Sequence, residues 1–120
     1  MVDLMLFRHS ETVNFSAGQT IFEAEETGTQ MYVISEGEVE IRIGQHILEI
    51  CGPGSIVGEM ALIDQGPRSA TALAKTACKL VAIDQRRFEF LVQQTPFFSL
   101  TVMKIMADRL RKTNRRITAA

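Results

Sequence analysis

Histidine, cysteine and long apolar runs are all scarce in this 120-residue sequence, and each scarcity removes a class of function. His9 and His46 lie 37 positions apart, and Cys51 and Cys78 lie 27 apart, with no CxxC pair and no histidine at metal-ligand spacing. A zinc or iron-sulfur site therefore has no ligand set, and neither does a cupin-type metal enzyme. No nucleophile, base and orienting acid assemble around the two histidines, so the expectation is a protein that is not an enzyme. The cysteines read as two buried free thiols, the ordinary state of a cytosolic domain, rather than as a disulfide. No apolar run approaches the roughly 18 residues of a membrane span. Residues 1–8 lack the basic start, apolar stretch and small-residue cleavage site of a secretory signal. A cytoplasmic protein without a membrane span is expected. Internal repeats and low-complexity segments are absent as well.

The length allows one domain, 1–120, with one continuous core. The net charge of -1 hides an uneven distribution: residues 1–66 hold eleven acids against two bases, and residues 67–120 hold eleven bases against three acids. A sequence pI of about 6.1 argues against nucleic acid covering most of the surface. From residue 11 to 83 the chain alternates short β-branched or aromatic runs with glycine and acidic turns, as all-β sandwiches and barrels do. Candidate strands are 12–15, 19–22, 31–35, 38–43, 46–50, 55–57, 70–74 and 79–83. In Val39-Glu40-Ile41-Arg42-Ile43 apolar and charged residues alternate, which describes a strand with one face on a core and one in water. Gly37 and Gly44 mark hairpin turns, and Gly18 and Gly28 two more. The fold class expected is mainly β, an eight-stranded jelly-roll-like β-roll (about 11–83) followed by two C-terminal helices (about 84–116). Asp84 caps the first helix and Pro96 ends it. Along the second, Leu100, Met103, Met106, Ala107 and Leu110 form an apolar stripe, which suits either contact with the roll or a movable lid and dimer seam. Its other face, Lys104, Arg109, Arg111, Lys112, Arg115 and Arg116, reads as a solvated basic helix end. Residues 1–7 suit a short helix or an arm.

The informative stretch is 54–71. Gly58 permits a sharp turn, and Glu59-Met60-Ala61-Leu62 can form a helical turn whose backbone N–H groups face an anion. Arg68 returns a guanidinium fork suited to two phosphate oxygens, and Ser69 and Thr71 add hydroxyls beside it. A carboxylate repels phosphate, so Glu59 is better explained as an acceptor for sugar hydroxyls, oriented by Arg68. A phosphorylated sugar satisfies both charges.

These residues resemble the cyclic nucleotide-binding domain family, found in catabolite activators, kinase regulatory subunits and gated channels. Val57-Gly58-Glu59-Met60-Ala61-Leu62 followed by Pro67-Arg68-Ser69-Ala70-Thr71 is similar to the family's phosphate-binding cassette, with Val57 where phenylalanine is common. The resemblance covers about 11–116. It implies that Glu59 accepts the ribose 2'-hydroxyl and Arg68 pairs with the cyclic phosphate. The backbone N–H groups of Gly58, Met60 and Ala61 and the Ser69 hydroxyl complete the cage, with Ala70 and Thr71 beside them. The base is expected near Ile50, under the closing helix. The ligand is cyclic AMP by preference or cyclic GMP. The expected output is movement of the C-terminal helix, read by an effector protein or by a second copy of the chain. Because the sequence stops four residues after Arg116, no helix-turn-helix follows and direct DNA binding is not expected. The alternative is a ligand-free protein-interaction module on the same fold.

Overall fold

The computed structural model describes residues 1–119, with side chains as far as Arg115. Arg116, the last base of the run noted above, lies outside the described side chains. Eight strands are present: β1 (Val13–Phe15), β2 (Thr20–Phe22), β3 (Gln30–Glu36), β4 (Val39–Ile43), β5 (His46–Cys51), β6 (Ile56–Val57), β7 (Thr71–Ala74) and β8 (Cys78–Asp84). The one-turn helix α1 (Met60–Ile63) interrupts them, and α2 (Gln85–Gln94) and α3 (Pro96–Ala119) close the chain. The first seven residues are both an arm and a helix, since a 3-10 turn at Leu4–Phe7 is capped by the Asp3 side chain.

The strands form two antiparallel four-stranded sheets, ordered β1-β8-β3-β6 and β2-β7-β4-β5. The first sheet is covered on both faces, which is why Met31, Val33 and Ile34 of β3 and Leu80, Val81 and Ile83 of β8 read as apolar runs rather than alternating ones. Ile34 and Leu80 point between the sheets, to Phe22, Val39, Cys51 and Ala72. Met31, Val33, Val81 and Ile83 point the other way, to a second core built from Val2, Phe7, Leu62, Leu91, Phe98 and Val102. In the second sheet β4 departs from the expected burial: the pleat turns Glu40 and Arg42 away from Val39 and Ile41, but Glu40 is buried and ion-paired with Arg42 rather than in water, and Ile43 at the strand end is exposed.

The helices start where the sequence predicts. The Asp84 carboxylate accepts the Arg87 N–H at 2.9 Å, and Pro96 follows a Thr95 that has left helical geometry. Phe98 anchors the elbow between them, with its ring edge-on to Phe7 at 6.3 Å and to Phe88 at 6.1 Å. The face that α3 lays on the roll differs from the stripe read in the sequence. Phe98, Val102, Ile105, Met106 and Arg109 turn inward, whereas Leu100, Met103 and Leu110 are exposed. The sequence holds two apolar faces on this helix, and the β-roll takes only one of them. Both cysteines are buried and free. Among the described residues, no helix is long and apolar enough to cross a membrane. Nor does any group of three His, Cys, Asp or Glu gather there as a metal cluster would require.

Candidate functional site

A cavity of about 620 Å³ opens between the second sheet, the 57–70 segment and α3, within the size range of small-molecule pockets. Ile41, Ile43 and Leu48 form its apolar wall, Met106, Ala107 and Leu110 its helical side, and Gly58, Glu59, Met60 and Ala61 one end. Arg68, Ser69 and Ala70 approach from the other strand of the same turn.

Arg68 is held in place before any ligand arrives. Its backbone exchanges two hydrogen bonds with the β2–β3 loop, Arg68 N–H to the Glu26 carbonyl and Glu25 N–H to the Arg68 carbonyl, both 2.8 Å. Its guanidinium donates to the carbonyls of Gly58 at 2.9 Å and Gln30 at 2.7 Å, and lies 4.1 Å from the Phe22 ring centre. Gly28 and Gly58 make room for it, since a Cβ on either would overlap the guanidinium. Gly58 also sits at φ +78°, where only glycine is unstrained. Arg68 is 6% exposed, and among the described residues it forms no ion pair. Burial pulls its pKa down, while Tyr32, Glu26 and Glu59 act in the opposite sense, and a guanidinium stays protonated throughout.

Glu59 is equally buried but is not oriented by Arg68. Its Oε1 accepts Nη1 of Arg109 at 2.8 Å, from a helix fifty residues downstream. Arg109 also donates Nε to Glu49 at 2.7 Å, and its Nη2 reaches the Ile56 carbonyl, Ser55 Oγ and Cys51 Sγ. Burial disfavours the Arg109 charge, yet Glu59, Cys51 and Glu49 outweigh it and the net shift is upward. Glu49 is likewise pushed up by burial but ends below the usual carboxylate range, through the Cys51 thiol, Arg109 and Lys112. Burial first, and then Glu49, raise the Cys51 thiol to about 11. The cavity wall thus carries three cations, Arg68, Arg109 and Lys112, against two carboxylates, Glu49 and Glu59. The carboxylates are taken by α3, which leaves Arg68 as the surplus positive charge. Such a wall suits a monoanion with a polar edge and an apolar body.

The family model for the cyclic nucleotide-binding domain matches residues 12–95. The chain belongs to this family. Among its relatives is the CRP-like cAMP-activated global transcriptional regulator of Mycobacterium tuberculosis, 31% identical over an alignment of 114 residues that covers 91% of this chain and 51% of that protein. A cyclic nucleotide-gated potassium channel of Rhizobium etli is 38% identical over 93 residues, 78% of this chain and 26% of the channel. The crystal structure of the Thermus thermophilus catabolite activator protein superposes with a TM-score of 0.82 at 26% identity, over 96% of this chain and 56% of that one. The chain spans about half the length of the transcriptional regulator it matches.

In this cyclic nucleotide-binding domain, seven of the eight residues singled out in the sequence line one cavity: Gly58, Glu59, Met60, Ala61, Arg68, Ser69 and Ala70. Thr71 is not among the lining residues, and its hydroxyl instead accepts the Ala24 N–H at 3.0 Å, tying β7 to the β2–β3 loop. Ile50 also misses the cavity. It pairs with Glu40 on the outer side of the sheet, so strand alternation turns Glu49 and Cys51 inward and Ile50 out. Arg109 and Glu49 are the site residues that sequence reasoning missed. The signal for Arg109 was its place at three- and four-residue steps from Phe98, Val102, Ile105 and Met106, inside the stripe that faces the roll.

Proposed function

We propose that this domain is a cyclic nucleotide sensor, with cyclic AMP as its preferred ligand, bound in the cavity over Arg68. One observation carries the reading. A buried guanidinium with only carbonyl partners faces a cavity whose other charges are paired, the arrangement a single anionic phosphate would complete. In this reading the fork pairs with the cyclic phosphate, while the Ser69 hydroxyl and the backbone N–H groups of Gly58, Met60 and Ala61 surround it. The carboxylate of Glu59 takes the ribose hydroxyl, and the base lies against Ile41, Ile43, Leu48 and α3. Cyclic AMP is favoured over cyclic GMP because the M. tuberculosis relative is described as cAMP-activated.

The domain acts here as a regulator rather than a catalyst, and α3 is its output. Glu59 is the meeting point, since ligand and Arg109 both use its carboxylate, and a ligand shifts α3 by its difference in affinity for the two positions. Leu100 and Met103 face outward, and with Ala107 and Leu110 on the rim of the cavity they recur at three- and four-residue steps, the spacing of a two-stranded coiled-coil seam. A protein partner on this face, with a second copy of the chain as the first choice, would read the movement.

Calorimetric titration with cyclic AMP and cyclic GMP, paired with backbone NMR of residues 97–115, tests this. One-to-one binding tighter for cyclic AMP, with shifts spreading along α3, is expected. Heat with neither nucleotide would end the reading. It would favour the second one, a ligand-free interaction module, which the occupied Glu59–Arg109 pair also supports.

A further inference from the structure

We propose that Glu49 is a positioning residue of this site: it holds Arg109, and through it α3, over the cavity independently of Glu59, so that Glu59 can turn to a ligand without the helix being released. The proposal deepens the cyclic nucleotide reading and rests on it for the ligand's place.

Among the described residues Arg109 is the one α3 side chain that reaches both carboxylates of the cavity wall, Nε on Glu49 and Nη1 on Glu59. The two bonds use different nitrogens, so either can persist when the other is lost. Glu49 is better suited to remain. Its Oε1 lies 3.8 Å from Nζ of Lys112, less than a turn further along α3, and its Oε2 accepts the Cys51 thiol at 3.1 Å from its own strand. A carboxylate fixed by β5 and contacted by two α3 cations is an anchor for the helix. Glu59 stands at the start of α1, beside Arg68, where a ribose would sit in the proposed complex. Removing the charge of Glu59 imitates its engagement elsewhere, and Glu49 then carries the contact alone. Arg109 keeps its remaining anchors on the Ser55 hydroxyl and the Ile56 carbonyl in either case, so those do not distinguish the two carboxylates.

Hydrogen-deuterium exchange on the unliganded chain tests this without depending on any nucleotide. In Glu59→Gln the amides of residues 103–113 should exchange within about twofold of wild type, and in Glu49→Gln/Glu59→Gln at least tenfold faster. Release of α3 in Glu59→Gln alone, or continued protection in the double variant, overturns the proposal. A readout that general loss of packing would not produce is the cycle with Arg109. In an Arg109→Met/Lys112→Met background, which removes both α3 cations that contact Glu49, adding Glu49→Gln should change α3 exchange by less than twofold. Multiplying effects would show that Glu49 acts elsewhere. With cyclic AMP present, Glu49→Gln should speed nucleotide dissociation about tenfold while Arg68→Ala weakens binding itself. Absent binding in wild type would refute the sensor reading while the exchange results still decide the role of Glu49.

Discussion

Replacing Arg68 with alanine is the sharpest perturbation of the site, because among the described residues it is the one cation of the cavity wall without a carboxylate partner. In the variant the carbonyls of Gly58 and Gln30 lose their donor and the Phe22 ring loses its cation. The cavity wall becomes electrically neutral, two cations against two carboxylates. A phosphate entering that site gives up its hydration and meets no unpaired positive group. Truncating one partner of a buried charge pair costs about 2–5 kcal/mol. At about 1.4 kcal/mol per factor of ten this is roughly thirty-fold to a few thousand-fold in Kd. Arg68→Lys restores the charge but not the fork, which must hold two carbonyls and still face the ligand, so its affinity should fall between the two. Calorimetry with cyclic AMP on all three proteins measures the effect, and thermal unfolding of the unliganded variants verifies the fold. A Kd for Arg68→Ala within twofold of wild type would refute the assignment of the cavity.

Four further outcomes are expected. Gly28→Ala places a methyl where the Arg68 guanidinium lies, so cyclic AMP affinity should drop at least tenfold by the same calorimetry although residue 28 touches no ligand. Phe98→Ala removes the ring shared by Phe7 and Phe88 and should cost about 3–5 kcal/mol in urea unfolding. The Cys51 thiol titrates near 11 in the folded chain against 9.0 for a free thiol, so the unfolded chain loses its proton first as pH rises. Its stabilising contribution is therefore full below pH 9 and fades between 9 and 11, and unfolding curves of wild type should lose more stability over that window than those of Cys51→Ala. Leu100→Glu/Met103→Glu, on the outward face of α3, should convert a dimer to a monomer in sedimentation without altering thermal unfolding of the subunit.

The strands were legible in the sequence because their signals are local. Every one of the eight falls within two residues of its expected place, since Gly37 and Gly44 terminate β3 and β4 in positive-φ turns and β4 alternates visibly. The cassette was legible for a related reason: residues 58–70 bring both sides of the cavity together within one turn of chain. What could not be read was the pairing of that cassette with α3. Arg109 looks like any base of a basic helix, and Glu49 looks like the polar face of an edge strand. Only the angle at which the elbow at Phe98 sets α3 on the roll brings the two within 2.7 Å. The same long-range geometry decided which apolar face of α3 is buried. Ile50 failed for a different reason: the resemblance placed the base near it, whereas strand alternation turns it to the outer side of the sheet.

The β4–β5 ladder contains one irregularity, a bulge between the Ile41–Glu49 and Arg42–Ile47 pairs that holds Leu48. Its side chain nonetheless forms part of the hollow. An extra residue on one strand bends that strand and re-aims its side chains, so the adjacent Leu48 and Glu49 both reach the hollow where regular alternation would turn one of them away. The kink thereby sets an apolar side chain and the carboxylate that meets Arg109 shoulder to shoulder on one wall, a pairing that a regular ladder would have split between two faces.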